Sequence, residues 1–296
     1  MRVFVTGASG FVGSAVVQEL LAAGHRVRGL ARTEAAAACL ASAGAEVLRG
    51  SMEDIASLQQ GATESDGVIH TAFNHDFSKF RDNCLLDQRA IEALGAALKG
   101  SDRPLIVTSG LAHLAPGRVA TEADTPAIGP AYPRVSESTA EQFLAQGVRA
   151  MVVRLAPSVH GRGDHGFVPM LIATARQKGV SVYAGDGQNR WPAVHRSDAA
   201  RLYRLALEQG KAGERFHAVA EQGVAFEAIA EAIGTGLNIP VQAMSHEEAA
   251  AHFGWFAMFA AMDAPTSSEQ TQSRLGGAPT GAGLIDDIAQ AGYFGG

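Results

Sequence analysis

Three observations predict an α/β protein built on a doubly wound parallel sheet, with a smaller, mostly helical unit beside it. Short β-branched runs alternate with longer helical runs as far as Leu155, a glycine-rich turn (TGASGFVG) follows the first of them, and the alternation loosens after Pro157. Strict alternation places helices on both faces of a parallel sheet. Right-handed crossovers then leave the doubly wound order as the natural solution.

RVFV (Arg2 to Val5) opens the chain as an apolar strand, and a helix follows over about Gly13 to Ala23. HRVRGLA is a second strand and TEAAAACLASAG a crossover helix, its alanines being strong helix formers rather than a low-complexity tract. EVLRG is a third strand, GVIHTAF a fourth, and a long helix spans about Phe80 to Leu98. PLIVTSG is the fifth strand, SESTAEQFLAQG a helix, and RAMVVRLA the sixth strand. Beyond it, Gly, Pro and His crowd PSVHGRGDHGFVP, followed by a helix over about Pro169 to Lys178, a short strand (VSVY) and a turn (GDGQN). A helix from Ser197 to Glu208 and a strand near Phe216 restore the first pattern, and the remainder reads as mostly helical. No internal repeat is present.

Composition removes several classes. The 296 residues carry a net charge of -6 with no basic run, which argues against a nucleic-acid partner. Hydrophobic residues at 47% and charged residues at 18% fit a globular chain, and no run approaches the roughly 20 apolar residues of a membrane span. HFGWFAMFAAM, about half that length, is expected to be a buried or lid helix. MRVFVTGASG begins a strand at once, with no charged leader and apolar core ahead of it, so a cytoplasmic protein is expected. Cys39 and Cys84 lie far apart and read as reduced thiols, and no His or Cys pair has metal-ligand spacing, so no metal is expected.

Gly7, Gly10 and Gly13 follow a strand and open a helix, the context a dinucleotide loop requires. Gly7 permits the tight turn, Gly10 admits a pyrophosphate against bare backbone, and Gly13 lets helix and strand pack closely. Ser9, Phe11 and Val12 complete the loop, whose helix N-terminus offers free N–H groups to phosphate. Residues 1–156 with 190–220 are therefore assigned to a Rossmann-type dinucleotide-binding domain, and 157–189 with 221–296 to a substrate-capping region facing the C-terminal ends of the strands. An NAD-preferring loop places an acid at the end of the second strand, whereas VRGLARTE ends without one and continues into Arg32. A guanidinium suits a 2′-phosphate, so NADP(H) is the expected cofactor.

With these residues in view, the chain resembles the short-chain dehydrogenase/reductase superfamily, in its extended or atypical branch of nucleotide-sugar epimerases and dehydratases. TGASGFVG resembles the Gly-x-x-Gly-x-x-Gly turn and LIVTSG the fifth strand with its Ser/Thr run. RLAPSVHGRGDHGFVP is similar to the loop after the sixth strand, AVHRSDAARLYRLALE to the His-Val-Asp-Asp helix, and LGGAPTGAGLIDDI to the closing motif. The resemblance implies cofactor contacts from Ser51 and Met52 to adenine, from Thr71, Ala72, Phe73 and Thr108 along the ribose and pyrophosphate, and from Pro157, Ser158 and Val159 to the nicotinamide amide. At Ser51-Met52 the usual Asp-Leu pair is absent.

The family chemistry uses Tyr-x-x-x-Lys, because a free tyrosine titrates near 10 and a nearby cation brings it down. AYPRVSESTAEQF offers two registers: Tyr132 with Ser136, or, aligned on the longer Ser-x-x-Ala-Glu-Gln match, Pro133 with Glu137. The second is preferred. Neither contains a lysine, and the strand-end serine is replaced by Gly110, with Ser109 one residue early. Three outcomes stay open. One is a reductase of a carbonyl, or of an iminium that arrives protonated and is favoured by the Glu137 carboxylate, with Ser109, Tyr132, Ser136 or Glu137 positioning substrate or relaying protons. The others are an NADP(H)-binding sensor and a conventional epimerase or dehydratase.

His160 replaces the Tyr of the family's Val-Tyr-Gly, close to the nicotinamide, and is a catalytic candidate competing with a backbone-bonded loop histidine. His195 reads as structural, ahead of an N-cap at Ser197 with Asp198 in the first turn. His165 stays undecided. Where a sugar-nucleotide enzyme carries a phosphate-gripping Arg, this chain has Trp191, with Arg190 one residue early. Trp191 and Trp255 are therefore expected to wall a pocket for a small, fairly apolar substrate. A small molecule, and at most a second copy of the chain, are the partners expected.

Overall fold

The computed structural model describes residues 1–112, 114–126, 129, 132–290 and 292–295; Ala131, at the head of AYPRVSESTAEQF, lies outside them. The chain runs β1 (Arg2–Thr6), α1 (Phe11–Ala22), β2 (Arg26–Ala31), α2 (Glu34–Ser42), β3 (Glu46–Arg49), α3 (Ile55–Thr63), β4 (Gly67–His70), α4 (Phe80–Leu98), β5 (Pro104–Gly110), α5 (Ser136–Glu141) and β6 (Arg149–Leu155). It continues through β7 (Ser158–His160), α6 (Phe167–Lys178), β8 (Ser181–Ala184), β9 (Arg190–His195), α7 (Arg196–Gln209), β10 (Arg215–Ala218), β11 (Glu221–Ala225), α8 (Phe226–Leu237), β12 (Val241–Met244), α9 (His246–Phe253), α10 (Ala257–Ala260), α11 (Glu269–Leu275) and α12 (Leu284–Ala289).

Seven strands form one parallel sheet in the order β10-β6-β5-β4-β1-β2-β3. The order reverses between β1 and β4, the crevice where ligands bind in such sheets. Side chains alternate between two cores. Val3, Val5, Ile69, Ile106 and Val153 meet α1, α2 and α7, while Phe4, Val68, Leu105 and Val107 meet α3, α4 and α5. The central strands β1, β4 and β5 are largely apolar on both faces because both are covered.

Helix α3 was not anticipated between the third and fourth strands. Asp54 caps it by accepting from the Ser57 N–H at 3.2 Å, and its buried positions Ser57, Leu58, Gly61 and Ala62 recur at helical spacing. Gly61 is required there, since a Cβ would stand 2.4 Å from the Phe4 ring. Helix α5 is shorter than SESTAEQFLAQG implies. The chain tightens into a 3-10 turn at Leu144–Gln146 and is closed by Gly147 at φ 75°. Phe143, drawn into the α4 side of the core, packs against Gly95, where a Cβ would lie 2.5 Å from its ring.

The capping region carries more strand than expected. β9 leaves the main sheet and lies between β11 and β7 in a three-stranded sheet, while β12 pairs with β8 in parallel. Residues 190–195 thus pair with strands of the region assigned to the cap, whereas α7 and β10 return to the large sheet. A third core, built on Val168, Leu171, Trp191, Phe226, Ile229, Phe256 and Leu284, holds the cap together. HFGWFAMFAAM is not one helix: a 3-10 turn at Gly254–Phe256 separates α9 from α10, buries Phe256 and leaves Trp255 61% exposed. No helix of the described residues is long and apolar enough to cross a membrane.

Candidate active site

The glycine loop has the geometry its spacing demands. Gly7 adopts φ 66°, its carbonyl accepts from the Gly10 N–H at 2.9 Å, and a Cβ on it would stand 2.7 Å from the Ala72 nitrogen. A Cβ on Gly13 would come within 2.0 Å of the Gly7 oxygen. No side chain caps α1, so its first N–H groups remain available beside the exposed Ser9 and Gly10. Phe11 carries the Arg196 guanidinium over its ring at 4.6 Å, and Arg196 Nη2 donates to Ser14 Oγ at 3.0 Å. Arg196 therefore sets a cation beside the loop, a contact from 182 residues along the chain that no local motif signals. His165 meets Phe11 edge-on at 5.8 Å.

Thr71, Ala72 and Phe73 leave β4 next to this loop, with the Thr71 hydroxyl donating to the Thr6 carbonyl at 2.8 Å. At the end of β2, Arg32 is exposed and makes no salt bridge among the described residues. Its charge acts instead on Glu53, whose carboxyl is held low by the Ser51 hydroxyl first and by Arg32 last among its causes. Ser51 and Met52 stand half-buried just past β3, close to that corner. Ser158 is buried, and its Oγ has no hydrogen-bond partner among the described residues, next to the half-buried Pro157 and Val159. The bare glycine cradle and this orphaned hydroxyl fit a dinucleotide laid from β3 across β1 to the end of β6. Thr108 does not join the row: its hydroxyl donates to the His70 carbonyl at 2.7 Å and lies 2.6 Å from the Tyr203 hydroxyl, turned into the core.

At the C-terminal end of β5, the Tyr132 hydroxyl lies 3.8 Å from where a Cβ of Gly110 would stand. A strand-end serine would carry its Cβ there, so Tyr132 rather than Pro133 faces the strand end, while the helical spacing assumed in both registers does not hold, α5 beginning only at Ser136. Tyr132 precedes α5 rather than riding on it. Burial pushes its phenol up, the charge of Arg134 works against this, and Glu137, Cys84 and Asp87 add to the rise. Ser109, the residue before Gly110, is buried on β5.

Glu137 has another role than the one expected of it. Its carboxylate is buried and held by two bonds from Arg154, at 2.9 and 2.7 Å. Arg154 also donates to the Asp124 carbonyl at 2.7 Å and to His217 Nε2 at 3.1 Å. The carboxylate is neutralised inside the fold, and it offers no free charge to a cationic substrate.

Ser136 instead enters a network that sequence reading missed. Its hydroxyl donates to the buried Asp87 at 2.5 Å and accepts from Arg134 Nε at 2.9 Å. Asp87 also accepts from His70 Nε2 at 3.2 Å, and His70 Nδ1 lies 2.7 Å from Thr6 Oγ1. Burial alone would raise Asp87, but the His70 and Ser136 bonds and the Arg134 charge hold it below the ordinary carboxylate value. Arg134 Nη2 donates to the Thr108 carbonyl at 2.9 Å, and its guanidinium lies 4.3 Å over the Phe73 ring. The ends of β1, β4 and β5 are thus joined by one polar chain.

An aromatic wall runs outward from Tyr132. Phe80 lies 6.2 Å from it, Phe77 stacks on Phe80 at 6.0 Å, and Trp255 stacks on Phe77 at 5.6 Å. Phe259 and Phe167 meet Phe77 at 5.4 and 6.0 Å. Trp255 is therefore part of this wall. Trp191 is not: it is fully buried, and its indole donates to the Phe259 carbonyl at 3.2 Å, anchoring the wall from behind. Arg190 is taken up by Asp263 through two bonds of 3.0 Å.

His160 is removed from the cleft. It is fully buried with Nδ1 2.8 Å from Asp287 Oδ2, tying β7 to α12, and its Nε2 has no partner among the described residues. His195 rather than Ser197 caps α7, accepting from the Ser197 N–H at 3.3 Å, and Asp198 accepts from the Thr280 and Gly281 N–H groups at 3.0 and 2.7 Å. Cys39 and Cys84 are free thiols. No three His, Cys, Asp or Glu side chains among the described residues gather as a metal site would require.

Comparisons with known proteins agree with this fold. The model of the NAD dependent epimerase/dehydratase family matches residues 3–219. A Schizosaccharomyces pombe protein described as uncharacterized is 52% identical, covering 99% of this chain and all of its own length. A 4-hydroxy-2-methyl-3-oxo-4-farnesyl-3,4-dihydroquinoline-1-oxide ketoreductase of Stigmatella aurantiaca is 30% identical over 72% of this chain and 66% of its own. Among solved structures, a dTDP-glucose 4,6-dehydratase from Streptomyces venezuelae with NAD and TYD bound superposes with a TM-score of 0.78 at 19% identity, covering 98% of this chain and 95% of its own.

Proposed function

This chain belongs to the NAD dependent epimerase/dehydratase family, and from that premise we propose that it is an NADP(H)-dependent reductase of a small, fairly apolar carbonyl compound. The observation that carries the reading is the Tyr132 hydroxyl beside Gly110, at the mouth of an aromatic wall. A reduced nicotinamide bound along the strand ends supplies the hydride. Gly7, Gly10 and Gly13 admit its pyrophosphate, Ser158 supplies a hydroxyl for its amide, and the free guanidinium of Arg32 receives the 2′-phosphate. Tyr132 gives its proton to the substrate oxygen as the carbonyl carbon is reduced. Its raised phenol keeps that proton through neutral pH, the state reduction requires. An iminium substrate loses its rationale, because Glu137 is spent on Arg154. Phe77, Phe80, Trp255 and Phe259 favour an apolar substituent on the carbonyl.

The test is NADPH oxidation with a panel of aliphatic and aromatic aldehydes and ketones, in the native chain and in Tyr132→Phe. Turnover that falls by about 10²- to 10⁴-fold in Tyr132→Phe, with NADPH affinity kept, is the expected result. NADPH binding without oxidation across the panel would instead mark a sensor.

A further inference from the structure

We propose that Arg134 is the cation of this site: a guanidinium fixed near Tyr132 by Ser136 and the buried Asp87, placed to neutralise the tyrosinate left when Tyr132 gives up its proton. The inference rests on the reductase reading of Tyr132, and it concerns a residue that helical counting from the tyrosine passes over.

The need for a cation follows from the chemistry. The carbonyl carbon gains a hydride and the nicotinamide is oxidised; the oxygen takes the Tyr132 proton, which solvent later restores. Between those events a phenolate stands in a largely apolar, half-buried place, and an unpaired charge there is costly. Arg134 and Tyr132 share the end of β5, where Arg134 Nη2 holds the Thr108 carbonyl two residues before Gly110, beside which the Tyr132 hydroxyl stands; among the described residues Arg134, Glu137, Cys84 and Asp87 act on that phenol. Glu137 is already paired with Arg154. The Cys84 thiol, pushed up to about 11 by burial, is neutral at physiological pH. Asp87 is ionised but bound by His70 and Ser136. Arg134 is the cation of the set.

Its position is built rather than incidental. Three contacts hold the guanidinium: Ser136 Oγ at 2.9 Å, the Thr108 carbonyl at 2.9 Å and the Phe73 face at 4.3 Å. Behind them Asp87, only 1% exposed, is a carboxylate whose burial is tolerable because it receives hydrogen bonds and faces this positive charge. Nη1 of Arg134 has no hydrogen-bond partner among the described residues, which leaves a donor for the site. The backbone explains why a residue two places after Tyr132 serves. The chain is not helical before Ser136, with Val135 at φ -116° and ψ 20°, so the four-residue helical spacing does not apply. Asp87 and Ser136 are positioning residues in this scheme, and Arg134 acts on the proton that moves.

The experiment reads the Tyr132 proton directly. The full chain is made with 3-fluorotyrosine, and the resonance of Tyr132, one of four tyrosines, is assigned with Tyr132→Phe and titrated by fluorine NMR. Arg134→Ala is expected to move the midpoint up by about one pH unit or more, while Arg134→Lys keeps it near the native value. Carbonyl reduction should fall at least tenfold in Arg134→Ala and recover in Arg134→Lys. If Arg134→Ala does not fold, Arg134→Gln takes its place against Arg134→Lys. An unmoved midpoint in the neutral variant overturns the proposal, as does a lysine variant that shifts as far as the neutral one. The two readings separate cleanly. A moved midpoint without turnover in the native chain sinks the reductase and leaves the Arg134 coupling standing; turnover with an unmoved midpoint sinks Arg134 alone.

Discussion

Arg32 and Glu137 show how far a single charged residue can be read. Arg32 follows a strand end, lies on the surface and forms no salt bridge among the described residues, so nothing competes for its guanidinium except the nearby Glu53. Its replacement by Ala should weaken NADPH binding by roughly ten- to a hundredfold, the worth of a charge-assisted hydrogen bond. NADH affinity should move less than twofold; titrating both cofactors against both proteins checks this, and equal losses would refute the 2′-phosphate assignment. Glu137 carries the same kind of charge signal in sequence and means something different. Its partner is Arg154 on the neighbouring strand, and a carboxylate already satisfied inside the fold has nothing to offer a ligand. Charge is legible from the chain; the partner of a charge is not.

The elements around that ion pair carry a pH dependence. α5, β6, β10 and α11 are joined through Glu137, Arg154, His217, Thr271 and Glu122. His217 accepts from Arg154 at Nε2, so it is neutral with its Nδ1 proton on the Ser267 carbonyl 2.7 Å away. Burial is the main cause that lowers it from its ordinary value of 6.5. The unfolded chain therefore binds a proton that the folded chain refuses. Stability is complete above the unfolded value and is lost as pH falls below about 6.5 toward the folded one. Urea unfolding at pH 7.5 and 5.5 should give a lower midpoint at the acid end, and His217→Gln should remove part of that difference; the rest belongs to His75, His195 and His252, which burial also depresses. An identical difference in the variant would assign the effect elsewhere. Elements differed in legibility for the same reason as residues. β1, α1 and α4 announce themselves by local pattern, and the structure places α4 at Phe80–Leu98 as the spacing implied. α3 was passed over because its signal rests on a cap and on Gly61, whose meaning depends on Phe4 in another strand. α5 is cut short by Phe143 turning into the core.

Across the whole molecule, the cap meets the dinucleotide half through aromatic stacking. Phe77, between β4 and α4, stacks on Trp255, which lies between α9 and α10 and is 61% exposed. Because Trp255 sits largely outside the cores, Trp255→Ala should leave the thermal midpoint within about 2 °C, while the KM for apolar carbonyls rises by about tenfold through lost contact area. Steady-state kinetics beside a melting curve checks this, and an unchanged KM would take Trp255 out of the substrate wall. The alternation of strands and helices, the glycine turn and the absence of a lysine after Tyr132 could all be read along the chain, because periodicity and the steric needs of a tight turn are local properties. Which histidines are buried, that β9 lies outside the main sheet, that Trp191 anchors the aromatic wall from behind while Trp255 stacks on its exposed side, and that Arg134 is held at the end of β5 with Asp87 behind it came from packing. Those facts depend on groups from distant parts of the chain meeting at the strand ends, and the free energy of a buried charge or ring is set by what it meets there.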